Sequence, residues 1–170
     1  MSNYNESITR TSSTLLSLGA NIGEKERNLN KAIELLEDRD VIHIHKKSSF
    51  YYTEPYGVKN QDWFINLCIY GETSLSPYDL LKQCKIIETL LGRKERQRWH
   101  EREIDIDIIL YGNINLIEDE LIIPHKEYKK RNFVLIPAAE IIGNVTPPDS
   151  NKTIKELSEI CNDKSGIKKI

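Results

Sequence analysis

The chain has 170 residues, 39% hydrophobic and 29% charged, with 24 Lys and Arg against 26 Asp and Glu. Those proportions fit one soluble globular domain and exclude both a wholly disordered chain and a uniformly basic nucleic-acid binder. No apolar run approaches the roughly 18 residues of a membrane span, and Cys68, Cys84 and Cys161 are too few and too scattered for a disulfide scaffold or a zinc knuckle.

Residues 1–13 are polar and lack a secretory apolar core, so a disordered lead-in and a cytoplasmic location are expected. Leu15 to Leu18 reads as a short strand entering Gly19-Ala20-Asn21. Leu29, Ala32, Ile33 and Leu36 recur at i, i+3, i+4, i+7 and predict a helix over 24–38. Residues 41–52 are β-rich, with Ile42 and Ile44 alternating against His43 and His45, which are read as surface. Thr53 to Asp62 is a loop holding Pro55 and Gly57, and Phe64 to Tyr70 is a strand. Ser76 can cap a helix with Pro77 at its first position, Asp79 three after the Ser, and Gly92 as its stop. Residues 103–111 are the strongest strand, with Asn115 to Ile123 as its expected partner. Residues 132–141 read as a helix despite Pro137, and a short helix at 153–161 precedes a loose tip at 162–170. The order β-α-β-β-α-β predicts an α+β, ferredoxin-like antiparallel sheet with helices on one face and extra C-terminal elements. A single domain over 14–161 is expected.

Side chains on a strand alternate faces, so Ile104, Ile106 and Ile108 are assigned to the core and Asp105 and Asp107 to the opposite face. The two aspartate Cα atoms lie roughly 6.5–7 Å apart on such a strand. Paired carboxylates repel unless a cation lies between them, and Mg²⁺ takes one or two carboxylates plus substrate phosphates. The same pattern also describes a half-buried strand with a solvated acidic face. Upstream, Arg93, Lys94, Arg96 and Arg98 carry four positive charges with Glu95 among them, and Trp99 and Arg102 follow. Guanidinium forks match phosphate oxygens, so this loop and the carboxylates could grip a polyphosphate from both ends. By itself the run also fits a solvated helix end, where basic residues favour the dipole.

The run from Gly92-Arg93 through Arg98-Trp99 to Arg102-Glu103-Ile104-Asp105-Ile106-Asp107-Ile108 resembles the signature of the 6-hydroxymethyl-7,8-dihydropterin pyrophosphokinase family. Four further segments resemble that family in order: Leu18 to Ile22, Ser48 to Gly57, Phe64-Ile65-Asn66, and Ile123-Pro124-His125 with Arg131, Phe133, Leu135 and Pro137. The resemblance covers about residues 14–150.

It implies transfer of a pyrophosphoryl group from ATP to the pterin hydroxymethyl group, releasing AMP, in folate biosynthesis. It assigns two Mg²⁺ to Asp105 and Asp107, with Arg93 and Arg102 joining them in catalysis. The pterin would lie between Phe64 and Phe133, read by Asn66, Thr53, Glu54 and the loop through Tyr56. Glu88, Arg93, Arg96, Trp99, Arg102, Ile108, His125 and Arg131 fall to the ATP side. A monomer with no nucleic-acid or membrane partner is expected. Read as residue types alone, Phe64 and Phe133 also suit core packing, whereas Asn66 in an apolar strand needs a hydrogen-bond partner that a ligand could supply.

The chain departs from the family at several places. His100-Glu101 replaces Gly-Pro after the Trp, and Glu95 replaces the second Arg of G-R-x-R. Glu120 and Lys126 flank the Pro-His pair differently, and Glu54 replaces the first Pro of the pterin loop. Two other readings stand beside the enzyme: a non-catalytic nucleotide- or pterin-binding homologue, and a small RNA-binding module. Intact Asp105, Asp107, Arg102 and Asn66 oppose the first, and the absence of an aromatic-rich RNA-binding strand opposes the second.

Overall fold

A computed structural model of the chain describes residues 10–55, 60–94 and 101–170. Six strands form one antiparallel sheet in the order β5-β1-β4-β3-β8, with β2 also paired to β4. They are β1 (Ser12–Ala20), β2 (His43–Lys47), β3 (Tyr51–Thr53), β4 (Phe64–Thr73), β5 (Asp105–Tyr111) and β8 (Ile167–Lys169). Beside the sheet lies a two-stranded hairpin of β6 (Leu116–Ile117) and β7 (Ile122–Ile123).

Central strands β1 and β4 are covered on both faces, so their burial is nearly continuous rather than alternating. On one face lie α1 (Lys25–Asp38) and α2 (Pro77–Leu90), burying Leu29, Ala32 and Leu36, and Leu80, Cys84 and Ile87, against Leu16, Leu18, Leu67, Ile104 and Ile106. The signals read for α2 hold: Ser76 Oγ accepts from the Asp79 N–H at 3.2 Å, and Gly92 ends the turn at φ +85°. On the other face α3 (Asn132–Ile142) and α4 (Ile154–Glu159) pack Val134, Leu135, Ala138 and Leu157 with Leu15, Cys68, Ile109 and Leu110. A bulge at Ile109, where β5 meets Leu15 and Leu16 of β1, breaks the alternation so that Ile109 and Leu110 both pack on the second face.

The structure corrects four expectations. Helices cover both faces of the sheet, because α3 and α4 bury the second apolar set of β1, β4 and β5. Residues 115–123 do not pair with β5, whose outer edge is already occupied: Glu88 accepts from the Ile106 N–H at 2.8 Å, and the His125 N–H donates to the Ile109 carbonyl at 3.0 Å. The β-rich stretch 41–52 is two strands, divided at Ser48, whose Oγ accepts from the Cys68 N–H at 2.9 Å. The ends are also more ordered than expected. Ser12 and Ser13 belong to β1, and the tail supplies β8, which pairs with β3 so that Ile167 faces Thr53 and Lys169 faces Tyr51.

Candidate active site

The register of three strands builds the site. Gly19 of β1 stands opposite Asn66 of β4 on one side and Asp105 of β5 on the other. One row across the sheet therefore reads Asn66, Gly19, Asp105, spanning two strand spacings, roughly 9–10 Å. In the next row of the same face, Ser17 stands between Cys68 and Asp107. Gly19 must lack a side chain here, because a Cβ would overlap Asn66 Oδ1. The result is a cavity of about 260 Å³ with polar groups at both ends.

At one end lie Thr53, Glu54, Phe64, Asn66 and Phe133. Asn66 is buried, and its amide donates to Thr53 Oγ1 at 2.6 Å, which orients the amide oxygen toward Gly19. Phe133 projects from the first turn of α3, with the Arg131 guanidinium 5.6 Å from its ring centroid.

At the other end lie Lys85, Arg93, Arg102, Asp105, Asp107, His125 and Arg131. As assigned, both aspartates face the cavity while Ile104 and Ile106 are fully buried beneath them. Arg93 bonds Asp105 Oδ1 at 2.7 Å, and the Arg102 guanidinium lies 3.6 Å from Oδ2. Burial, then the neighbouring Asp105 charge, pushes the Asp107 carboxyl up to about 7. Burial and the Arg131 charge lower His125 to about 4, so its ring is neutral at physiological pH. His125 Nδ1 accepts from the Glu127 N–H at 3.2 Å, which leaves the proton on Nε2 as a donor.

Two residues assigned to the nucleotide have other places. The Ile108 side chain lies in the core with α1 and α2, so it takes no part in the cleft. Glu88 is buried behind the cavity wall, where it accepts from the Ile106 N–H and pairs with Lys85 at 3.0 Å and with Arg93. Burial raises the Glu88 carboxyl above its ordinary range against the pull of these cations. Desolvation alone would lower Arg93, but Asp105 and then Glu88 outweigh it and raise the guanidinium. Tyr56, Arg96 and Trp99 lie outside the described residues.

Sequence reasoning missed Lys85 and Asn21. The i, i+3 spacing of Lys85 to Glu88 on a helix was the available signal for the first. Asn21 is buried at the end of β1 and joins two loops. Its Oδ1 accepts from the Arg102 N–H at 2.7 Å, and its Nδ2 donates to Gln61 Oε1 and to the Asp62 carbonyl, each at 3.1 Å.

Comparison with known proteins places the chain in a family. The profile of a family described as 7,8-dihydro-6-hydroxymethylpterin-pyrophosphokinase matches residues 15–143. The chain is 38% identical over 156 residues to the 2-amino-4-hydroxy-6-hydroxymethyldihydropteridine pyrophosphokinase of Methylorubrum extorquens, covering 91% of this chain and 96% of that one. It is 38% identical over 153 residues to the protein of the same name from Bacillus subtilis, covering 89% and 92%. Among solved structures, an HPPK-DHPS chain of Plasmodium falciparum matches with a TM-score of 0.71 at 19% identity, over 91% of this chain. This chain spans 46% of that one, and the likeness speaks to the fold, an α+β antiparallel sheet with packed helices.

Proposed function

Because the chain belongs to the 7,8-dihydro-6-hydroxymethylpterin-pyrophosphokinase family, we infer that it transfers pyrophosphate from ATP to 6-hydroxymethyl-7,8-dihydropterin in folate biosynthesis. The pterin hydroxyl oxygen attacks the β-phosphorus, the bond from that phosphorus to the α–β bridging oxygen breaks, the hydroxyl proton is lost, and AMP leaves. Such a transfer needs alignment and charge neutralisation more than covalent help from the protein.

The row Asn66, Gly19, Asp105 carries this reading, since it sets a base-reading amide and a phosphate-side carboxylate on one sheet face with open space between. On the pterin side, Phe64 and Phe133 offer ring faces, and Asn66, Thr53 and Glu54 offer polar edges, which Tyr56 would supplement. On the nucleotide side, Arg93, Arg102 and Arg131 offer guanidinium groups to phosphate oxygens, and the neutral His125 offers Nε2–H. Arg96 and Trp99 would complete the nucleotide side.

Two Mg²⁺ would be held by Asp105 and Asp107. The donor set fits: both are hard oxygen ligands, two residues apart on β5 and lining the same cavity, and the remaining positions would fall to phosphate oxygens. The ions would neutralise charge that builds on the polyphosphate during transfer. Arg93 and Arg102, which lie beside Asp105 here, would offer their remaining donors to the nucleotide phosphates.

We also read the strand order as a ferredoxin-like sheet whose second strand is broken into β2 and β3, forming one domain that acts as a cytoplasmic monomer. No helix among the described residues is long and apolar enough to cross a membrane. The test is turnover with ATP, Mg²⁺ and 6-hydroxymethyl-7,8-dihydropterin. AMP appearing in step with pterin pyrophosphate supports the reading. ADP as product, or binding of both substrates without turnover, overturns it.

A further inference from the structure

Residues 163–169 lie beyond the family match, which ends at residue 143, and they tie together two walls of the proposed pterin pocket. The first wall is the start of α3. Its N-cap position, Arg131, makes no side-chain capping bond. The cap comes instead from the tail: Asp163 Oδ2 accepts from the Asn132 backbone N–H at 3.0 Å. Asn132 Nδ2 donates to the Ser165 carbonyl at 2.9 Å and to the Asp163 carbonyl at 3.3 Å. A carboxylate at a helix N-terminus satisfies an orphan donor and favours the dipole. This one holds the turn that carries Arg131 and Phe133 into the cavity.

The second wall is the end of β3 and the residue that follows it, Glu54. The Glu54 N–H donates to the Gly166 carbonyl at 2.8 Å, and the Gly166 N–H donates back to Glu54 Oε2 at 3.0 Å. Glu54 lines the cavity beside Thr53, which pairs with Ile167. Trp63 stacks on Tyr52 at 5.0 Å and packs against Gly166 so closely that a Cβ there would lie 2.9 Å from its ring. Asp163 Oδ1 accepts from the Ser165 N–H at 2.9 Å, which folds the tail between the two attachments. The attachments are only three residues apart, so the spacing between Phe133 and Glu54 is set through this short segment.

We propose that residues 163–166 form a strap that sets the width of the pterin pocket, with Asp163 as a positioning residue for Phe133. The strap is bonded to the turn of Asn132 and to Glu54, and it reaches the nucleotide side only through Arg131, so its main effect falls on the pterin. The proposal rests on the assignment of Phe133 to the pterin.

The test is steady-state kinetics of full-length Asp163→Ala, Asp163→Asn and Phe133→Ala, with melting temperatures recorded. Asp163→Ala should raise KM for the hydroxymethyl pterin about tenfold, with kcat within about twofold and KM for ATP raised less than about threefold through Arg131. Asp163→Asn should restore most of the loss, because an amide oxygen can also cap the Asn132 N–H. An unchanged pterin KM in Asp163→Ala, or equal increases for both substrates, overturns the strap while a pterin defect in Phe133→Ala keeps the pocket assignment. Unchanged pterin binding in Phe133→Ala overturns that assignment and the strap with it.

Discussion

Glu88 on α2 accepts a hydrogen bond at 2.8 Å from the backbone N–H of Ile106, the residue between the two aspartates of β5. Edge strands expose every second N–H, and an orphan donor in a dry interior is costly. A buried helix carboxylate therefore finishes the sheet edge and fixes the strand that aims Asp105 and Asp107. Replacing Glu88 with Ala should cost about 3 kcal/mol or more, through the stranded N–H and the lost partner of Arg93. Glu88→Gln keeps an acceptor for Ile106 and should cost less. Chemical denaturation of both variants checks the order.

Asp105→Ala and Asp107→Ala should each lower kcat at least about a hundredfold while circular dichroism stays native. The fold survives because Ile104, Ile106 and Ile108 on the opposite face, with Ile109 and Leu110 beyond the aspartates, make the core contacts of this segment. Substantial turnover in either variant would remove the metal assignment.

Gly19→Ala places a methyl group against Asn66 Oδ1, in the gap between the pterin and phosphate ends. The Asn66 amide must shift, and with it the bond to Thr53. Pterin KM should rise about tenfold or more, with nucleotide binding less affected. Calorimetric titration with each substrate separates the two.

Asn21→Ala removes the bonds to Arg102, Gln61 and Asp62 at once. The variant should be less stable by about 1–3 kcal/mol, because the Arg102 N–H loses its acceptor. Both KM values should rise, since Asn21 touches the segment next to Asp105 and the loop beside the pterin end. A change confined to one substrate would contradict this bridging role.

His125 makes stability depend on acid. Its folded value is about 4 against 6.5 for the free side chain, so between these values the unfolded chain holds a proton that the folded protein lacks. Stability then rises with pH across this window, and is lost as pH falls from 6.5 toward 4. Urea midpoints measured across that range should show a shallower slope in His125→Asn than in the parent protein.

Much of the site was legible in the order of residues. The alternation of Ile104, Asp105, Ile106 and Asp107 already separates a core face from a chemical face, because a strand has a period of two. Ser76, Pro77 and Gly92 mark the ends of α2 through local backbone chemistry. Glu88 was read as a nucleotide contact and Ile108 likewise, and neither reading holds for the side chain. The reason is that a helix position does not say which strand edge it will cover, and the alternation that sets Ile108 with Ile104 and Ile106 in the core also keeps its side chain out of the cleft.

Local periodicity and capping determined the helices and which face of β5 carries carboxylates, since those depend on neighbours within a few residues. Only the packed chain decided that Gly19 lies between Asn66 and Asp105, that Asn21 holds two loops, and that the tail caps α3. Those relationships join residues 31 to 86 positions apart. They follow from strand register and from the need to satisfy buried polar groups, which no short window of sequence contains.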